Sequence, residues 1–216
     1  MHVLILGASG MIGNLILNKC LESDKVDKID SVVRSKNGLV HSKLFEVVHP
    51  DFADFNSNKS LFQHVDVAFY CLGVYTSQVK DDVFKTITVD YAKAFADTLK
   101  RESPDVTLCF LSGQGADQTE KSSVSFAKYK GMAENYLIQK QFKQLYIFRP
   151  SYIYPVEKRK EPNFIYRLMR VMYFGVKLLG KKYSITSVQL AEAMFSVGIK
   201  GYTQSILENG EIIKSL

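Results

Sequence analysis

Apolar runs alternate with amphipathic stretches along the first 150 residues. His2-Val3-Leu4-Ile5-Leu6 is apolar almost throughout, the pattern of a strand buried on both faces of a parallel sheet. Similar runs recur at Ile29–Val33, Leu44–Val48, Val65–Leu72, Val106–Leu111 and Leu145–Phe148. Between them the spacing changes. Met11 to Leu17 reads as a helix. From Asp81 to Glu102, Val83, Phe84, Ile87, Tyr91, Ala94, Phe95 and Leu99 recur at three and four, which predicts a long amphipathic helix stopped by Ser103-Pro104. Another helix is predicted from Ser123 to Lys140, with Phe126, Tyr129, Ala133, Tyr136 and Leu137 on one face. Alternating strands and helices predict an α/β fold, a doubly wound parallel sheet of the Rossmann kind.

The pattern changes after Pro150, which ends the sixth strand because it cannot donate to a sheet. Ser151 to Glu161 reads as loops with Pro155 and the basic triplet Lys158-Arg159-Lys160. Phe164 to Phe174 is a helix apolar nearly all round, which suits the core or a lid over a substrate pocket. Its aromatic and cationic mixture also suits peripheral membrane contact over 163–179. Thr186-Ser187-Val188-Gln189 matches a capping box and starts a helix from Val188 to Lys200, with Gly201 as its stop. Glu211 to Lys214 is expected to add a short strand. Residues 150–216 are too few for a core of their own. The expectation is one NAD(P)-binding domain over 1–216, with 150–216 forming a small C-terminal substrate cap.

Chemistry enters at the first turn. Gly7-Ala8-Ser9-Gly10-Met11-Ile12-Gly13 lies between a strand and a helix, the setting in which a glycine fingerprint binds a dinucleotide. Gly7 allows the sharp turn, Gly10 lets a pyrophosphate approach, and Gly13 lets the helix pack close to the sheet. Ser9, Met11 and Ile12 complete the cradle, where the helix N-terminus offers N–H groups and a partial positive charge. The second strand ends in Arg34-Ser35-Lys36, where many NAD-binding folds carry an acid for the ribose 2′-OH. Arg34 and Ser35 instead suit a 2′-phosphate, which points to NADP(H). After the third strand, Asp51 and Phe52 offer an acid and a ring to an adenine, although an Asp here also makes a local turn. Gly73 follows the fourth strand, and Ser112-Gly113-Gln114-Gly115-Ala116-Asp117 follows the fifth. Both lie at the carboxyl ends of strands, where open sheets bind ligands.

Composition narrows this picture slightly. The 216 residues carry a net charge of +6, scattered apart from small clusters such as Lys181-Lys182. That suits an anionic ligand. Without a recognised motif it does not support nucleic-acid binding. Three cysteines (Cys20, Cys71, Cys109) and four dispersed histidines (His2, His41, His49, His64) show neither a disulfide framework nor metal-ligand spacing. No signal-peptide or membrane-span pattern is seen, so a cytoplasmic setting is expected.

Together with Val33-Arg34-Ser35, Asp66 to Gly73, Leu111 to Asp117, Lys130-Gly131 with Glu134, and Phe148-Arg149-Pro150, the glycine turn gives a family resemblance. The chain resembles the atypical short-chain dehydrogenase/reductases, in particular their NADPH-binding, Tat-interacting-tumour-suppressor-like branch. The resemblance implies that Leu72, Gly73, Lys130 and Pro150 border the cofactor. It also implies a Tyr four residues before a Lys, the Lys holding the nicotinamide ribose and lowering the pKa of the Tyr, which acts as acid or base. Lys130 matches the Lys, but Phe126 stands at the Tyr position. The family's carbonyl-polarising Ser falls at Gly113 or Gln114, with Ser112 as a substitute in another register. Tyr129 should point elsewhere, and Tyr75 is the best alternative donor on this chain, although a stacking or surface role suits it better. Two readings follow. One is a reductase that uses NADP(H) on a small carbonyl or alkene through a non-standard site. The other is an NADP(H)-binding regulatory or interaction protein with little turnover. The partners implied are the dinucleotide, a small-molecule substrate that no motif identifies and, on the second reading, a protein.

Overall fold

Successive residues of a strand point to opposite faces, and β1 (His2–Leu6) is buried on both. The computed structural model describes residues 1–36, 38–156 and 183–216. Within it β1 lies between β2 (Lys28–Val33) and β4 (Val67–Tyr70), with β3 (Leu44–Val48) at one edge. Beyond β4 come β5 (Thr107–Leu111), β6 (Gln144–Arg149) and a seventh strand, β9 (Ile206–Glu208). The order is β3-β2-β1-β4-β5-β6-β9 and every pairing is parallel. The strand order reverses between β1 and β4, so a crevice opens at the carboxyl ends of those two strands. A small parallel pair, β7 (Tyr152–Tyr154) and β8 (Ser184–Thr186), stands apart from the main sheet.

Each face of the sheet has its own core. Val3, Ile5, Val67, Phe69 and Cys109 pack under α1 (Met11–Glu22) and under a later helix over Ser187–Lys200. Leu4, Leu6, Ala68, Tyr70, Leu108 and Phe110 face the other way, toward an aromatic group of Phe55, Phe62 and Phe95. Full burial of one such side chain stabilises by roughly 1.5–3 kcal/mol, so the two-sided apolar runs dominate the fold. The predicted helix over Asp81–Glu102 is present in three parts. α2 (Asp81–Lys85) leads through a π turn (Thr86–Asp90) into α3 (Tyr91–Glu102). α4 (Ser125–Gln139) matches the next expectation.

The described elements after β7 join the main body of the domain. α5 (Ser187–Lys200) starts at the predicted capping box, where Thr186 Oγ1 accepts from the Gln189 N–H at 3.1 Å, and it stops at Gly201 with φ 80°. α5 packs on α1 as part of the main core, and β9 extends the main sheet. The strand expected at Glu211–Lys214 is instead part of a helix, α6 (Asn209–Lys214). Ile212 there reaches the core, and Lys214 pairs with Glu211 one turn back at 3.1 Å. The basic triplet Lys158-Arg159-Lys160, the helix expected at Phe164–Phe174, the membrane contact proposed for 163–179 and Lys181-Lys182 lie outside the described residues. Among the described residues no helix is long and apolar enough to cross a membrane.

Candidate active site

The turn after β1 is shaped by close approach. Gly7 has φ 90°, and a Cβ there would come within 2.8 Å of the Cys71 backbone. At Gly13 a Cβ would come within 2.2 Å of the Gly7 carbonyl oxygen, so this glycine lets α1 lie against the turn. Gly10 differs. It is exposed, its backbone is extended (φ −82°, ψ 166°), and a Cβ would meet only the Gly7 oxygen, at 3.2 Å. A side chain there is crowded by one backbone atom and otherwise meets nothing of the fold. Gly10 caps α1 without a side-chain hydrogen bond, and the first turn of α1 carries no acid. The N–H groups at the start of this helix are thus available to an anion.

Beside this turn lies a cleft of about 400 Å³. Gly10, Met11 and Ile12 form one wall; Leu72, Gly73 and Tyr75, in the segment after β4, form another. Ser112 and Gly113 after β5, Phe126 and Lys130 on α4, and Pro150 after β6 complete it. Nine of the residues predicted from sequence therefore meet in one place. Sequence reasoning missed Ser151, Tyr152 and Ile153, which also line the cleft. The alternation of Tyr152-Ile153-Tyr154 directly after Pro150 was the available signal for a strand there. A hollow of about 700 Å³, lined by Gln114, Glu208, Asn209 and Lys214 among others, contains only Gln114 of the site positions singled out from sequence.

Residues expected at the far end of a dinucleotide lie elsewhere. Arg34 and Ser35 are exposed directly after β2, next to the strand that feeds the glycine turn. Ser9 is exposed in the turn itself. After β3, Asp51 is exposed and Phe52 is buried. The Asp51 carboxylate accepts from the Ala53 N–H at 2.9 Å, making a local turn. Phe52 is only 4% exposed and packs among His49, Phe55 and Tyr91, so its faces are already covered.

Phe126 and Lys130 are one helical turn apart on α4, and both face the cleft. Tyr129 points away, its hydroxyl donating to Asp81 Oδ2 at 2.7 Å. Lys130 is 8% exposed, and its Nζ donates to the Leu111 carbonyl at 3.1 Å. It also lies over the Phe110 ring, 5.4 Å from the centroid. Burial lowers its pKa to about 8, against the opposing influence of Glu134. At neutral pH the ammonium is still the main form. Ser112 is not a free hydroxyl. It donates to the fully buried Glu134 at 2.5 Å, and Gln118 donates to the same carboxylate at 3.0 Å. Arg149 grips that carboxylate through Nε, at 3.0 Å, and Nη2, and its Nη1 reaches Glu208 on β9 at 2.9 Å. These bonds hold the pKa of Arg149 above its ordinary value, even though its burial acts the other way. The network ties the loop after β5 to α4, β6 and β9, and it occupies Ser112.

Of the two positions expected for the carbonyl-polarising serine, Gln114 lines the other hollow and Gly113 lines the cleft, where the space above it is filled. A Cβ at Gly113 would lie 2.6 Å from Cζ of Phe126. The two hydroxyl-bearing positions of the family pattern are thus replaced by a glycine and the ring that covers it.

No family model matches the chain. It is similar to the protein HTATIP2 of Rattus norvegicus, with 28% identity over 164 residues, or 74% of this chain and 66% of that protein. Among solved structures, the Bordetella bronchiseptica enzyme WbmF in complex with NAD+ superposes with a TM-score of 0.72 at 13% identity, covering 96% of this chain and 72% of that one. MoeE5 in complex with UDP-glucose and NAD gives a TM-score of 0.70 at 14% identity, covering 99% and 80%. These structural likenesses establish the fold. Together with the relative, they support the resemblance to atypical short-chain dehydrogenases of the HTATIP2 kind.

Proposed function

We propose that this chain binds NADP(H) across the carboxyl ends of β1, β2 and β4 and presents its nicotinamide in the cleft beside Lys130. The observation that carries this reading is the cradle at Gly10. It is exposed, it stands over a helix N-terminus without a side-chain cap, and Lys130 lines the same cleft. Met11, Ile12 and Gly13 offer N–H groups to the pyrophosphate. Arg34 and Ser35 meet the 2′-phosphate. Lys130 holds the nicotinamide ribose, and Leu72, Gly73 and Pro150 border the ring. When bound, the dihydronicotinamide supplies a hydride. The chain supplies position, exclusion of water and the charge of Lys130, and the acceptor is a small carbonyl or alkene compound. Titration calorimetry with NADPH and NADH tests the reading, with NADPH expected to bind at least tenfold more tightly. Failure to bind either dinucleotide overturns it.

The second reading is an NADP(H)-binding regulatory or interaction protein with little turnover. It is favoured by one observation: Phe126 fills the space over Gly113, so neither position gives the cleft a hydroxyl. A positioned acid typically contributes 10²–10⁴-fold in rate, so ordinary aldehydes and ketones are expected to turn over well below the roughly 10 s⁻¹ of a median enzyme. An NADPH absorbance assay across a carbonyl panel separates the two readings.

A further inference from the structure

Lys130 combines two features that point to a particular kind of acceptor. Its ammonium lines the cleft while nearly buried, yet the Leu111 carbonyl is the one hydrogen-bond acceptor it has among the described residues. Two of its three N–H groups are therefore unused. Beside it, where a proton donor would stand, the cleft offers the flat ring of Phe126. The site has a fixed positive charge and an aromatic wall, but no hydroxyl at either family position.

Hydride transfer to a simple aldehyde or ketone leaves an alkoxide, a base comparable to hydroxide, whose conjugate acid water has a pKa of about 15.7. Such a product needs a proton as it forms. Hydride transfer to a quinone leaves a hydroquinone monoanion, a phenolate whose conjugate acid is near the pKa of about 10 of a tyrosine side chain. That anion is stable enough to persist without a general acid, provided that a cation accepts its charge. A planar ring also suits the face of Phe126.

We propose that the hydride acceptor of this site is a small quinone, and that Lys130 stabilises the product anion rather than protonating it. This rests on the NADP(H) reading above. In the step, the dihydronicotinamide loses a hydride and is oxidised to the nicotinamide cation. The quinone gains the hydride and is reduced to the hydroquinone monoanion. The anion pairs with the Lys130 ammonium and takes its proton from water after leaving. The charged groups that act on Lys130 belong to one network: Glu134 on its own helix, which is held by Arg149 from β6. Their mutual pairing leaves the ammonium as the cleft's available charge.

The test has two parts and uses the full chain. NADPH oxidation is followed with 1,4-benzoquinone and menadione, and with a panel of aldehydes and ketones, after subtraction of the protein-free rate. Quinones are expected to react at least about a hundredfold faster than any aldehyde, the low end of what a positioned acid contributes. Phe126→Tyr should raise the aldehyde rate by a larger factor than the quinone rate. Equal slow rates on both classes overturn the proposal, as does a quinone rate that rises by as large a factor as the aldehyde rate in Phe126→Tyr.

The second part reads no turnover. 4-Nitrophenol is titrated by absorbance in the presence of protein loaded with NADP+. Bound ligand should ionise at lower pH than free ligand, and Lys130→Met should abolish the shift. No binding, an unshifted titration, or a shift that survives Lys130→Met overturns the proposal. Calorimetry with NADPH alone keeps the outcomes distinct: no cofactor binding defeats the reading beneath it, whereas cofactor binding without quinone preference defeats this inference alone.

Discussion

Gly113 and Phe126 share one side-chain space: a Cβ on the glycine would lie 2.6 Å from Cζ of the phenylalanine. The ring sits where a serine side chain would stand, so the two positions form a matched pair. Gly113→Ala is therefore expected to cost about 1–3 kcal/mol through overpacking. In a Phe126→Leu background the cost should shrink by at least about 0.5 kcal/mol, as contacting residues do in a double-mutant cycle. Urea unfolding of the four proteins measures it. Equal costs in both backgrounds would show that the residues do not interact.

The same pairing shapes the catalytic expectation. Phe126→Tyr restores a proton donor one helical turn before Lys130, so the rate on aldehydes should rise by roughly 10²–10⁴-fold. Adding Gly113→Ser displaces the ring that carries the new hydroxyl, and the double variant should be no faster than the single one. NADPH absorbance reports both. No gain in either variant would place the reacting carbonyl away from α4.

Arg34→Ala should weaken NADPH binding about tenfold or more and leave NADH nearly unchanged. A charge-assisted bond to the 2′-phosphate is worth about 1.5–3 kcal/mol, and NADH lacks that phosphate. Calorimetry on both cofactors decides it, and parallel losses would remove Arg34 from the 2′-phosphate site.

The glycines of the first turn separate folding from binding. Gly10 is exposed with an extended backbone, and a Cβ there would meet only the Gly7 oxygen, at 3.2 Å, so Gly10→Val should stay folded by circular dichroism and fail to bind NADPH. Gly13→Val should unfold, because its Cβ would enter the Gly7 carbonyl oxygen at 2.2 Å. A folded Gly10→Val that still binds cofactor would reduce the stretch to a turn.

Lys130 gives a pH dependence with a definite sign. Burial lowers its folded pKa from 10.5 to about 8. Between those values the unfolded chain binds more protons, so this group's contribution to stability rises with pH across that window and is flat below it. The full change is on the order of 3 kcal/mol, at about 1.4 kcal/mol per pKa unit. Lys130→Met lacks it. The stability of wild type minus that of the variant should therefore climb between about pH 8 and pH 10.5 in urea titrations. A flat difference would mean that the ammonium is not desolvated.

The apolar runs and the glycine turn carried most of the architecture because both are local signals. A strand buried on two faces is apolar at most successive residues, as β1, β4 and β5 are, whereas β2 buries Asp30 and Ser31 in its middle. The capping box at Thr186 was equally local. What escaped depended on distant partners. Ile206–Glu208 is a strand because β6 lies beside it and Arg149 reaches Glu208. The apolar pair Ile212-Ile213 reads as strand or helix until the core takes Ile212. Phe52 was legible as an aromatic at a loop, but its burial against His49, Phe55 and Tyr91 required the fold. Ser112 looked available until Glu134, 22 residues on, claimed its hydroxyl. The cover of Phe126 over Gly113 was invisible for the same reason.

The packing of α1 against α5 sets an order of events during synthesis. Ile12, Ile16, Leu17 and Cys20 in the first helix share one core with Leu190, Ala191, Met194 and Val197. Translation adds about 5–20 residues per second, and domains consolidate as their parts emerge. The glycine turn thus leaves the ribosome well before the helix that backs it. A nascent chain stalled before residue 187 would carry the whole glycine turn on a helix with one side bare. On the NADP(H) reading, cofactor capture waits for α5, although the glycine turn is made well before it.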